Sequence, residues 1–290
     1  MLPRAYGRPA VTTKEVPASG PRAAGPSGPR PLVALRAILQ REALRFLGQR
    51  GRLVAALIRP LVWLFVFATG FRAALGLSIT PPYQTYITYE IYIVPGLVGM
   101  ILLFNGMQSS LSLVYDREMG SMRLLLTAPL PRWWLLFCRL LAGSLIAILQ
   151  AYAFLAIAAL YGIRFPWSGY LAAAPAMAVA AMMLGALGLL LSSLVRQLEN
   201  FAGVMNFVIF PMFFLSSALY PLWKMAEASP RLRDLCELNP FTHAVELIRF
   251  ALYAKGNPMA LAVTVAAFVV FGLAAVWGYD PARGLIARKA

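Results

Sequence analysis

The sequence predicts an all-α, polytopic membrane protein. It should contain six transmembrane helices, an N-terminal amphipathic interfacial helix and an outer re-entrant or interfacial helical hairpin. Three observations predict it. Of 290 residues, 60% are apolar and only 13% charged, against about 25% charged in soluble domains. The mean hydropathy is +0.71, carried by apolar runs near the ~20 residues that a crossing helix needs. Lys and Arg are also distributed asymmetrically between the segments joining those runs, as insertion into a membrane demands. The net charge of +15 therefore implies an orientation in the bilayer and no nucleic-acid partner.

Residues 1–31 are rich in Pro, Gly, Ala and Arg. Such a composition cannot bury a core and predicts a disordered tail. No apolar core follows the early arginines, so it is not a signal peptide. In residues 32–52, Leu32, Leu35, Leu39, Ala43, Phe46 and Leu47 recur at helical spacing among Arg36, Gln40, Arg41, Arg45 and Gln49. This predicts a basic amphipathic helix at the membrane surface.

The six-span domain covers residues 53–280. Its spans fall at about 53–71, 92–114, 133–160, 170–195, 201–220 and 259–279. With the N-terminus inside, eighteen basic residues lie in cytoplasmic pieces and seven outside. Both termini, including the tail 281–290, are then cytoplasmic. Arg59 falls in the first span, about one and a half turns from its inner end, and can snorkel back. The two cysteines, Cys138 and Cys236, fall on opposite faces, which argues against a disulfide. Residues 221–258 are too polar for a span and too apolar for a simple loop. Asn239-Pro240 is a helix start, with Asn as N-cap and Pro at the first helical position. The helix it opens, running to about Ala254, carries Phe241, Ala244, Val245, Ile248 and Leu252 on one face. Glu246 and Arg249 can pair on the other. It is too short to cross, so the segment is an outer hairpin.

No phosphate-binding loop of the G-x-x-x-x-G-K-[ST] type occurs, nor H-E-x-x-H, C-x-x-C or paired carboxylates within a span. No metal or cofactor is implied for this chain. The spans hold few ionisable groups, which argues against membrane enzymes and proton pumps. Uncharged polar residues do occur there. Asn105 and Gln108, then Ser109, Ser110 and Ser112, lie on the second span, and Asn206 lies on the fifth. They serve either as hydrogen-bonding contacts between helices or as the lining of a translocation path. Pro95-Gly96 and Pro211 would bend their spans. An integral enzyme would have to use the outer His243, Glu246, Asp234 and Arg249. A channel without ATP is the other rival.

The segment 115–132 interrupts the apolar sequence with charge. Asp116, Arg117 and Glu118 end the second span, Gly120 permits a turn, and "SMRLLLTA" can form two helical turns before Pro129 and Pro131 break it. The residues alone leave a docking element and a surface-lying connector equally open.

"YDREMGSMRLLLTAPLPRWWLLFCRLLAGS" resembles the signature of the type-2 ABC exporter permeases. Glu118, Gly120, Ser121, Leu124 to Leu126, Thr127, Pro129 and Arg132 match it. A second block, "FPMFFLSSALYPL" followed by "LNPFTHAVELIR", matches at Pro211, Ser216, Tyr220, Pro221, Asn239, Pro240, Thr242, Glu246 and Arg249. The chain departs from the pattern at Ser217, where Gly is common, and at Arg123, where Glu is common. The resemblance implies a transmembrane permease subunit of an ATP-driven ABC exporter, non-catalytic itself, in a bacterial inner membrane. Two copies, or a copy and a related permease, would form the path across the lipid bilayer. A separate cytoplasmic ABC ATPase subunit would hold ATP and Mg and dock on 115–132 and on the amphipathic helix. The coupling residues would be Asp116, Arg117, Glu118, Gly120, Ser121, Arg123, Thr127, Pro129 and Arg132. The outer hairpin would close the exit. Family substrates include polysaccharides, glycolipids, drugs and other hydrophobic compounds.

Overall fold

The computed structural model describes residues 31–48, 50–67, 70, 82–83, 87–118, 131–195 and 197–279. Among them the elements are α1 (Pro31–Gly48), α2 (Arg50–Val62, prolonged by a π-helical turn, Trp63–Phe67), α3 (Tyr89–Glu118), α4 (Arg132–Leu160) and α5 (Trp167–Leu194). After these come α6 (Leu198–Phe214), α7 (Leu222–Ala228), α8 (Pro230–Leu238), α9 (Pro240–Ala251) and α10 (Pro258–Gly278).

Proline sets most of the helix starts. Pro131, Pro166 and Pro221 stand at the N-caps of α4, α5 and α7. Pro230, Pro240 and Pro258 occupy the first turn of α8, α9 and α10, where a missing N–H costs nothing. Asn257 repeats the device of Asn239: its side chain accepts from the Ala260 N–H at 3.0 Å.

Four helices are long and apolar enough to cross a membrane: Tyr89–Tyr115, Trp133–Leu160, Trp167–Leu194 and Pro258–Gly278. The other two expected spans are shorter. The first is apolar over Ala56–Val66, and residues 68–69 beyond it lie outside the described set. The expected fifth span, 201–220, is corrected to α6. It has 17 residues, about 25 Å at roughly 1.5 Å each, and ends at Phe214. There Pro211 has removed one ladder donor, and the Ser216 hydroxyl donates to the Phe213 carbonyl at 2.6 Å, turning the chain. Of the expected tail 1–31 only Pro31 is described, as the first residue of α1. The tail 281–290 lies outside the described residues.

α3 and α5 form the centre. Glycine permits their crossing. A Cβ on Gly106 would lie 2.9 Å from the Gly185 nitrogen, and one on Gly188 would lie 2.7 Å from the Gly106 carbonyl. Such small residues let backbones approach closely where lipid supplies no hydrophobic force between helices. α10 packs against α5 and α9. It buries only Ala260, Thr264, Ala275 and Gly278, leaving a broad apolar face outward.

The segment 221–258 is three helices rather than two. α7 and α8 pack on each other. α9 then enters the bundle between α3, α5 and α10, with Phe241, Ala244, Val245, Ile248 and Leu252 wholly buried. Its 12 residues span about 18 Å, too short to cross.

Candidate functional site

Polar chemistry collects in three places along α3: its middle, the end that meets α9, and the end at Glu118.

At the middle, the Asn105 side-chain amide donates to the Ile101 carbonyl at 3.2 Å and to Gln150 Oε1 of α4. Gln150 is buried, so this pair joins two spans where water cannot serve as partner. One turn on, Ser109 and Ser110 both donate to the Gly106 carbonyl, at 2.9 and 3.0 Å, and Ser112 donates to Ser109. Asn105 borders two cavities. One, of about 30 Å³, is shared with Ser109, Ser112 and Glu42 of α1. The other, of about 50 Å³, is shared with Gln108, Phe104 and Arg59 of α2. Asn206 borders neither and stands exposed on α6.

Arg59 does not retreat to the end of its span. Its guanidinium carbon stacks 3.7 Å from the centroid of the Phe104 ring. Phe104 lies fifteen residues from Tyr89 and fourteen from Glu118 in a 30-residue helix, roughly 20 Å from either end. A cation at mid-depth costs about 2.5–3.5 kcal/mol even on insertion scales, so snorkelling would be expected. The ring face of Phe104 holds the guanidinium instead. No carboxylate pairs with it among the described residues.

At the α9 end the sequence expectation for Arg249 is corrected. It pairs with Glu246, but inward: Arg249 is 2% exposed. Its Nη1 donates to Glu246 Oε1 and its Nη2 to the Ser217 carbonyl at 2.8 Å. Its guanidinium lies 4.1 Å from the Tyr92 ring centroid. The Tyr92 hydroxyl donates to the same Ser217 carbonyl at 2.9 Å. One buried cation thus ties α9 to α3 and to the turn after α6. Asn239 adds a second tie. It caps α9 by accepting from the Phe241 N–H at 3.0 Å, and its amide donates to the Met212 and Leu215 carbonyls at 2.8 and 2.6 Å. Those are C-terminal carbonyls of α6 with no helical partner. Thr242 donates to the Cys236 carbonyl. Pro221, buried, opens α7, and Tyr220 is half-buried beside it, whereas Pro211 is exposed. Beside this lock, Lys255 donates to the Pro82 carbonyl at 2.8 Å. Burial pushes the neighbouring Tyr83 hydroxyl up to about 12.

The catalytic rival does not assemble here. His243 Nε2 donates to the Glu237 carbonyl at 2.9 Å. Among the described residues it makes no hydrogen bond to Glu246, Asp234 or Arg249. No group of three or more metal-ligating side chains occurs there either.

At the third place, Glu118 is the exposed last residue of α3 and Arg132 the first of α4. Gly120, Ser121, Arg123, Thr127 and Pro129 lie outside the described residues, as do the side chains of Asp116, Arg117 and Arg132. Just inside α4, the Trp134 indole N–H donates to the Pro31 carbonyl at 3.2 Å. That bond fastens the first residue of α1 to the base of α4.

A family model described as ABC-2 type transporter matches residues 33–253, from α1 through the turn after α9. The chain belongs to the ABC-2 type transporter family. It is similar to proteins named transport permease ycf38. That of Porphyra purpurea is 30% identical over 222 residues, covering 74% of this chain and 72% of the relative. That of Cyanophora paradoxa is 27% identical, over 71% and 69%. The Escherichia coli K12 protein named as the multidrug ABC transporter permease YbhR is 31% identical over 176 residues, 60% of this chain and 46% of that one. This ABC-2 permease is therefore a multi-pass membrane component of an ABC transporter, a transport subunit of a family that generally works with a separate ATPase.

Four participants escape sequence reasoning. Tyr92 reads as one more apolar-run aromatic, and Gln150 as an isolated amide in the third span. Glu42 is the single acid in a basic helix. Arg59 reads as a terminal charge. An ionisable or amide residue inside a span is the signal that could have found Gln150 and Arg59. Nothing local marks Tyr92.

Proposed function

We propose that this ABC-2 permease is the transmembrane half of an ATP-driven exporter. Two copies, or a copy and a related permease, frame the path, and a separate cytoplasmic ATPase carrying ATP and Mg docks on the segment 115–132. Both termini are cytoplasmic, in a bacterial inner membrane. The observation that carries this reading is the Trp134 to Pro31 bond. It sets the start of α1 beside the base of α4, the helix that the segment 115–132 leads into, which supports both expected docking pieces sharing one end. Closure of the ATPase pushes Glu118 and its neighbours. α3, about 45 Å long, transmits the push as a tilt. Its far end is fastened to α9 through Tyr92 and Arg249, so the same tilt moves the outer hairpin. Of the hairpin candidates, Glu246 and Arg249 act in this fastening, Asn239 ties α9 to the end of α6, and Ser216, Tyr220, Pro221 and Pro240 shape the turns around it. Asn105 and Gln108 line the path.

The test is Glu118→Lys in the purified permease–ATPase complex. The variant should insert normally, with co-purified ATPase or substrate-stimulated hydrolysis lowered by about tenfold, the effect of losing about 1.4 kcal/mol of coupling. Full stimulated hydrolysis and transport by the variant would falsify the docking role.

A further inference from the structure

The cavity between α2 and α3, which Asn105 and Gln108 border, also holds a cation, Arg59, that the permease reading leaves unused. It is one-signed among the described residues: Arg59 brings a guanidinium fork, and no described Asp or Glu borders it. The ring of Phe104 occupies one face of the guanidinium, leaving its edge N–H donors for a ligand. Gln108 adds a primary amide that makes no hydrogen bond among the described residues. Asn105 is held in place by its bonds to Ile101 and Gln150, so the polar floor is fixed before any ligand arrives. The remaining border, Ala56, Pro60, Met100 and Ile101, is apolar.

Size narrows the ligand further. The cavity holds about 50 Å³, room for roughly three or four waters. That admits one carboxylate or phosphate group, not a whole drug or sugar chain. Forked donors suit such planar or tetrahedral oxyanions better than any neutral group. An uncompensated cation at mid-depth requires a counter-charge or a wet path, and an apolar rim requires a tail. Both requirements are met by one molecule.

We propose that Arg59, with Gln108, is the headgroup site for an anionic amphiphile, a single phosphate or carboxylate on an apolar tail, and that this is the class of compound transported. The proposal rests on the permease reading for the word transported. The binding itself requires no ATPase.

The test uses the full-length permease in phosphatidylcholine nanodiscs, titrated with dodecyl phosphate, inorganic phosphate and neutral dodecyl maltoside. The wild type should bind dodecyl phosphate. Arg59→Gln should weaken it by about tenfold or more, the scale of one charge-assisted pair. Arg59→Lys keeps the charge but loses the fork, so it should fall between the wild type and Arg59→Gln, and Gln108→Leu should lose about threefold. Dodecyl maltoside should not respond to any variant. Unchanged dodecyl phosphate binding in Arg59→Gln overturns the site. Inorganic phosphate binding as tightly as dodecyl phosphate overturns the amphiphile. If Arg59→Gln fails to insert, Gln108→Leu decides, and unchanged affinity there overturns the proposal. Failure of the ATPase to co-purify would sink the exporter reading while leaving these titrations standing. Loss of the anion site with normal coupling would do the reverse.

Discussion

Replacing Arg249 by methionine keeps the length of the side chain and removes its charge. Three contacts disappear together: the ion pair with Glu246, the hydrogen bond to the Ser217 carbonyl at 2.8 Å, and the stacking on Tyr92 at 4.1 Å. A hydrogen bond from a charged donor contributes about 1.5–3 kcal/mol, and a desolvated cation–π contact about 2 kcal/mol. These are not additive within one network. Removing one partner of a buried pair costs about 3–5 kcal/mol. Glu246 keeps 19% of its side chain exposed, so its orphaned carboxylate partly rehydrates. The Ser217 carbonyl retains the Tyr92 hydroxyl. Both considerations place the loss near the lower bound, about 3 kcal/mol. Thermal unfolding followed by tryptophan fluorescence should show a midpoint lower by about 6–12 °C, at roughly 2–4 °C per kcal/mol. Arg249→Met with Glu246→Leu should recover much of that, because both charges then leave the interior. A single variant within about 2 °C of wild type, or a double variant no better than the single, would refute the lock.

Gly106→Val should lower stability by about 2–3 kcal/mol, since its Cβ already meets the Gly185 nitrogen at 2.9 Å; an unchanged midpoint would show that α3 and α5 cross elsewhere. His243→Ala removes one hydrogen bond to the Glu237 carbonyl and should cost about 1 kcal/mol while transport persists. Abolished transport in a stable, assembled His243→Ala protein would instead favour outer-face chemistry. Burial pushes the Cys236 thiol above its usual range, so less thiolate exists at a given pH and alkylation by iodoacetamide should lag the unfolded chain by about tenfold or more at pH 8. The gap should narrow as pH rises, and equal rates in the folded and detergent-denatured protein would contradict the placement.

The family blocks Glu118 to Arg132 and Pro211 to Arg249 were readable from residue identity. So were four of the six expected spans, because length and hydropathy are local properties that burial does not change. Asn239-Pro240 was equally legible, since an N-cap side chain acts on N–H groups two residues away. The same logic would have located Asn257-Pro258. The end of α6 was not legible: Ser216 and Ser217 sit between apolar residues and could continue a span, and the Ser216 hydroxyl-to-carbonyl bond with the Asn239 amide is what stops the helix.

Sequence alone determined that this chain is a multi-pass membrane protein, where its four long spans fall, and which family it resembles, because composition and spacing act within a few residues. The tertiary structure alone decided the meaning of two arginines. Arg249 looked like the solvent side of an outer helix, and Arg59 like a charge that returns to the surface. Both stack on aromatic rings of α3, Tyr92 and Phe104, Arg249 buried and Arg59 exposed. Those rings come from another helix, 157 and 45 positions away in the chain. A stacked cation is fixed by whatever lies across the crossing, and no periodicity along one segment encodes its neighbour.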